Sequence, residues 1–153
     1  MEQQLVVFDL ADEAYAINIA TVESIIKIQS ITLLPHSKAY IKGVINLRGA
    51  VLPVIDLRIR FGLEPQPATR QTRIMVVNMS KLKVGVVVDS VSEVLRVPDD
   101  CIEALPPTVS AVNSTYLKNI INFEKRLIIL LDLSRIIDID EQQSLAALQP
   151  KAG

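Results

Sequence analysis

The stretch from Gly43 to Phe61, GVINLRGAVLPVIDLRIRF, returns later in the chain in altered form. Sliding the sequence by 76 positions lays it without a gap on Asn119 to Ile137, NIINFEKRLIILLDLSRII. Asn46 meets Asn122, Asp56 meets Asp132 and Leu57 meets Leu133, while Val44, Ile45, Val51, Leu52, Val54 and Ile55 all meet aliphatic residues. A slide of 69 positions lays Val7 to Ile26 on Val76 to Leu95. There Asp9 meets Asn78, Leu10 meets Met79, Ile17 meets Val86, Val22 meets Val91 and Ile25 meets Val94. The order of units is A (5–26), B (43–61), A′ (74–95) and B′ (119–137). Aliphatic hairpins resemble one another by chance, but two gapless matches in one order favour duplication.

Each unit reads as a hairpin with a short appendage. Leu5 to Leu10 and Ala14 to Ile19 are strand-like around the polar break Ala11-Asp12-Glu13. Thr21 is expected to cap a helical turn with Val22, Ile25 and Ile26 on one face. Gly43 to Leu47 and Ala50 to Ile55 flank the turn Arg48-Gly49, and Pro53 is expected at an edge or bulge. Asp56 can cap a helix through Phe61, which Gly62 stops. Arg73 to Met79 and Lys83 to Asp89 form a hairpin around Ser80-Lys81-Leu82, and Val91 to Val97 leads into an irregular stretch from Pro98 to Ser114. Leu127 to Leu131 reads as a buried strand, Ser134 to Ile139 as a short helix, and 141–153 as a polar tail. This inventory suits a mostly β fold of two small antiparallel barrels, since closure removes exposed edges. Halves of about 70 residues are marginal alone, so residues 1–153 should form a single domain with two subdomains.

Composition narrows the function. Of 153 residues, 17 are Val, 19 Ile and 18 Leu, whereas only 3 are Phe, 3 Tyr and none Trp. β-Branched aliphatics favour pleated surfaces, and the scarcity of rings argues against a single-stranded nucleic-acid reader. With 16 basic against 17 acidic side chains, no general attraction to nucleic acid or anionic membrane follows. The longest apolar run, Leu127 to Leu131, is far below the roughly 20 residues of a membrane span. A lone Cys101 permits no internal disulfide, which fits a reducing, cytoplasmic setting.

Catalytic constellations are scarce. The single histidine, His36, lies 65 residues before Cys101, and phosphate loops, dinucleotide fingerprints and zinc or calcium spacings are missing. No enzyme, no cofactor and no metal are therefore expected. Arg48 is different, because Gly49 supplies a positive φ cheaply and would hold the arginine at a rigid tip. On physics alone, a docking arginine and a merely solvated one are equal readings. From Arg48 to Arg73, five arginines face only Asp56 and Glu64, a local excess that reads as an interaction face or a plain charged surface.

Tyr40-Ile41-Lys42-Gly43-Val44-Ile45-Asn46-Leu47-Arg48-Gly49, followed by Pro53-Val54-Ile55-Asp56-Leu57-Arg58, resembles the signature of CheW-type chemotaxis coupling proteins. Val84-Gly85-Val86-Val87-Val88-Asp89-Ser90-Val91 and the residues Phe8, Tyr15 and Ile17 are similar to theirs as well. The likeness runs from about Leu5 to Ile139. It implies two five-stranded SH3-like barrels packed through a shared hydrophobic core. It further implies a cytoplasmic, noncatalytic adaptor joining the regulatory domain of the histidine kinase CheA to the tips of transmembrane chemoreceptors. By that likeness Gly43, Asn46, Arg48, Gly49 and Val94 are receptor-binding residues, and Val22, Ser24 and Ile25 are kinase or partner contacts. One departure is plain: the family's Val-x-Glu-Ile is here Val22-Glu23-Ser24-Ile25, with the acid displaced by one position, about 100° on a helical turn. The competing readings are a paralogue serving a pilus or other chemosensory array, and a small β-barrel enzyme using Cys101 or His36. A regulatory fragment of a larger kinase is disfavoured by the strand-like start and polar tail.

Overall fold

The computed structural model describes residues 1–35, 38–79, 82–106 and 116–137. Unit A forms β1 (Glu2–Leu10), β2 (Glu13–Asn18), a 3-10 turn (Ile19–Thr21) and β3 (Val22–Lys27). Unit B forms β4 (Ile41–Leu47), β5 (Ala50–Asp56) and the single-turn helix α1 (Leu57–Arg60). Unit A′ repeats the first pattern with β6 (Arg73–Met79), β7 (Leu82–Val88) and β8 (Ser90–Pro98). After a 3-10 turn (Asp99–Cys101) and β9 (Ile102–Ala104), unit B′ adds β10 (Leu117–Phe123), β11 (Arg126–Leu131) and a 3-10 turn (Leu133–Arg135).

These strands make two sheets, ordered β8-β1-β2-β11-β10-β9 and β3-β6-β7-β5-β4. Apart from β9, the two orders match unit for unit, which gives the two SH3-like barrels that the resemblance implies. Neither is wholly antiparallel: β2 with β11 and β5 with β7 pair in parallel. Each parallel pair joins strands from different hairpins, where a long connection leaves the direction free.

The barrels are not the two halves of the chain. The chain begins in the first sheet, passes to the second for all of β3 to β7, and returns for β8 to β11. The edge strands are thereby exchanged: β3 of unit A lies beside β6 of A′, and β8 of A′ lies beside β1 of A.

Alternation in β1 and β6 explains how the barrels join. Leu5 and Val7 face an inner core with Ala16, Val97, Ile121, Ile128 and Leu130. Ile74 and Val76 face the equivalent core with Ile45, Leu52 and Val54. The intervening residues Val6, Phe8 and Leu10, and Met75, Val77 and Met79, meet in one larger core shared by both sheets. Both strands are buried on both faces, so they read as continuous apolar runs. Even capping repeats: Asp56 N–H donates to the Tyr40 carbonyl and Asp132 N–H to that of Tyr116, each at 2.8 Å.

Several expectations are corrected. Val22 to Ile26 is strand, not helix, so the displaced acid moves to another face of a strand and not 100° around a turn. Pro53 sits in an interior strand, directly before the β5–β7 pairing begins at Val54, so its missing N–H interrupts nothing. The stretch after Pro98 contains β9, and Leu127, at 67% exposure, is not buried because it lies beside the hairpin tip. Ser134 begins no α-helix; the segment is a 3-10 turn capped by Asp132. His36, Ser80-Lys81, most of the segment before Tyr116 and the tail 141–153 lie outside the described residues.

Candidate functional site

The β4–β5 tip is built by its own backbone demands. Arg48 and Gly49 have φ of 53° and 87°, the paired positive values of a tight hairpin turn. Gly49 meets this freely, whereas Arg48 adopts a conformation that non-glycine residues seldom take. Asn46 Oδ1 accepts a hydrogen bond from Gly49 N–H at 2.9 Å, which fastens the turn. Further along β4, Gly43 has φ of 148°, and a Cβ there would lie 2.1 Å from the Thr32 carbonyl oxygen. Thr32 exchanges both backbone hydrogen bonds with Val44, so this glycine admits the chain that covers the strand edge. Gly43 and Asn46 thus shape the site, and Arg48 is its exposed chemistry.

The arginine excess resolves into separate duties. Arg58 Nε and Nη2 donate to the two Asp89 carboxylate oxygens at 2.8 and 2.6 Å. This fork holds the Asp89 carboxyl below its ordinary value; burial opposes the shift and Ala11 N–H, bonded at 2.9 Å, adds to it. The Arg60 guanidinium lies 5.0 Å from the ring centres of both Tyr40 and Tyr116 and donates to the Ile136 carbonyl. Arg73 donates to the carbonyls of Arg70 and Thr72. Arg48 has no ion pair or side-chain hydrogen bond among the described residues. Sequence reasoning had no signal for the Arg60 or Asp89 pairings, which join positions far apart in the chain.

The remaining site residues lie on the two exchanged edge strands. Val22 pairs with Val77, Ser24 with Val76 and Ile25 with Met75, leaving Glu23 as the extra residue of a bulge. Glu23 is bound to Lys83 at 2.9 Å. On β8, Val94 pairs with Val6, and Ser92 is the corresponding bulge residue. Ile25 and Val94 occupy matching positions, flank the shared core through Met75 and Val6, and remain 40% and 52% exposed. The fold brings Asn46, Arg48 and Gly49 together at one tip, whereas Val94 belongs to the other sheet.

A cleft of about 650 Å³ opens where the sheets meet, lined by Asp9, Lys42, Asp56, Arg58, Asp89 and Ser90 among others. Its groups serve each other. Asp56 caps α1 and lies 3.9 Å from Lys42, Asp89 holds Arg58, and Asp9 accepts from Ser90. Cys101 packs beside the first barrel's inner core, and burial followed by the nearby Asp100 pushes its thiol up, away from nucleophilic character. Among the described residues no helix is long and apolar enough to cross a membrane.

Comparison with known proteins agrees with this arrangement. A family model described as the CheW-like domain matches residues 4–141. The chain is 36% identical to the probable chemotaxis protein CheW of Rhizobium etli over 94% of its own length and 92% of the relative's. It is 37% identical to the chemotaxis protein CheW of Bacillus subtilis, over 93% and 91%. The crystal structure of the scaffolding protein TtCheW from Thermoanaerobacter tengcongensis superposes with a TM-score of 0.84 at 35% identity, covering 92% of this chain and 96% of that one.

Proposed function

The chain belongs to the family of CheW-like chemotaxis adaptors, and on that premise we propose that it couples chemoreceptors to a CheA-type histidine kinase without catalysing a reaction. The observation that carries this reading is the β4–β5 tip: a fastened turn holding an arginine that has no side-chain partner among the described residues. Such a group is pre-organised to meet another protein's carboxylate. Arg48 and Val94 serve the receptor tip in this reading, with Gly43, Asn46 and Gly49 shaping the tip. Val22, Ser24 and Ile25 serve the kinase's regulatory domain or another partner. The protein would act from the cytoplasm, recruited to arrays at the membrane.

Affinities of Arg48→Ala and Arg48→Lys for a receptor-tip fragment and for the kinase domain test the reading. A charge-assisted hydrogen bond contributes roughly 1.5–3 kcal/mol, so Arg48→Ala should bind the receptor about 10- to 150-fold more weakly. Arg48→Lys should also be impaired, because an ammonium does not reproduce the planar fork. Kinase affinity and melting temperature should hold in both. Unchanged receptor affinity in Arg48→Ala would return this residue to an ordinary solvated turn.

A further inference from the structure

One exposed segment joins two parts of the chain that cannot be assigned to separate barrels. Strands β1 to β5 precede it and β6 to β11 follow it, and each part supplies strands to both sheets. Four pairings cross between the parts: β1 with β8, β2 with β11, β3 with β6 and β5 with β7. The largest core is shared in the same way, with Phe8, Leu10 and Ile55 from one part and Met75, Val77 and Val86 from the other.

The joining segment is fastened at its two ends to opposite parts. Arg58 Nη1 donates to the Glu64 carbonyl at 3.0 Å, and Leu63 N–H donates to the Arg58 carbonyl at 2.8 Å. At the far end Thr69 N–H donates to Thr72 Oγ1 at 2.8 Å, directly before β6. Between these anchors Pro65, Gln66, Pro67 and Ala68 are exposed and make no hydrogen bond among the described residues. Each proline fixes its own φ and keeps the residue before it out of the helical region, so the stretch is stiff and extended.

We propose that two copies of this chain exchange their parts about Pro65–Ala68, forming a dimer of two complete two-barrel bodies. Every contact between the parts is made again with the other copy, so native packing does not distinguish the two forms. Concentration and hinge length decide between them, because closure on a chain's own second part needs a linker that spans the gap. An extended proline hinge opens without leaving its preferred conformation. The dimer carries two of every docking face, which gives avidity toward a partner with two sites.

Gln4→Cys with Arg96→Cys, in a Cys101→Ser background, reads the exchange, since Gln4 and Arg96 are exposed partners across β1 and β8. Antiparallel partners stand at a Cα separation that a disulfide spans. The full chain is refolded from urea at high concentration, separated by size, oxidised and run on a denaturing gel. The dimer fraction should carry links between chains, and the monomer fraction links within one chain. The dimer should persist on dilution, because its reversal breaks all four pairings. Removal of residues 66–68 should shift the refolded chain to twice the monomer mass, and a Gly-Ser insertion after Ala68 should keep it monomeric. Should the shortened chain fail to fold, the cysteine readout on the full-length hinge decides alone. A dimer linked only within chains is a surface association and overturns the proposal. A full-length chain that refolds wholly as monomer overturns it too, as does a folded monomer lacking residues 66–68.

Discussion

A methyl group on Gly43 would sit 2.1 Å from the Thr32 carbonyl oxygen and 2.9 Å from Ile31 Cγ2. The carbonyl is backbone and accepts from Val44 N–H at 2.8 Å while Thr32 N–H donates to the Val44 carbonyl at 2.9 Å, so it has little freedom to withdraw. The positive φ adds a conformational penalty that only glycine escapes. Gly43→Ala should therefore cost about 2 kcal/mol or more of stability, read as a lower urea midpoint. Any loss of receptor binding in that variant would follow from displacement of the 28–34 segment and the β4 strand, not from a missing contact. Gly49 is the contrasting case, since nothing lies within 4 Å of a Cβ there and only its φ of 87° resists substitution. Arg48, in the same turn as Gly49, is the residue whose side chain is left without a partner among the described residues.

Between elements, Asp89 is the joint at which three parts meet. Its carboxylate holds Arg58 of α1 and accepts from Ala11 N–H in the β1–β2 turn, while the residue itself links β7 to β8. Because its folded pKa lies below the ordinary carboxylate value, its contribution is present above the unfolded pKa of about 3.9 and is lost as pH falls through the folded pKa. Wild type should lose stability over that acid limb, and Asp89→Asn should be less stable near neutrality yet flatter with falling pH. Parallel acid titrations of the melting temperature would expose identical slopes if the joint contributes nothing. The elements themselves were legible where duplication constrains them: the hairpin of each A unit, the Asp56 cap and the Arg48-Gly49 turn. The edge strand β3 was not, for a definable reason. The bulge at Glu23 inserts one residue, so Val22 and Ile25 reach the same face at a spacing of three, as they would on a helix. The turn geometry of the candidate site was legible at Arg48 and Gly49, where turn chemistry is local. The close packing that Gly43 permits was hidden, because it comes from Thr32, as was the Glu93–Arg126 pair, which only the fold brings together.

At the scale of the whole molecule, the chain order within the barrels decides how the protein can be divided. Pairing of β1 with β8 joins segments that no local pattern links, so the exchange of edge strands was not visible in the sequence. Its consequence concerns a cut in the exposed segment between Gly62 and Arg73. That cut leaves β1 to β5 on one fragment and β6 to β11 on the other. The second sheet then loses the contact of β3 with β6 and of β5 with β7, and the first loses β1 with β8 and β2 with β11. Each fragment also exposes its side of the shared core, where Phe8 and Ile55 meet Met75 and Val86. Neither fragment has a closed barrel, and chains near this length depend on nearly all the surface they bury. Fragments 1–62 and 73–153 should each give collapsed amide NMR spectra, yet a stoichiometric mixture should recover dispersed, native-like signals. Their affinity should fall steeply when Met75 or Val77 is replaced by Asp, since both side chains lie in the shared core. A dispersed spectrum from either fragment alone would show that a barrel can form without exchanged strands. Absence of recovery on mixing would show instead that the continuous 62–73 connection is needed to bring the two halves into register.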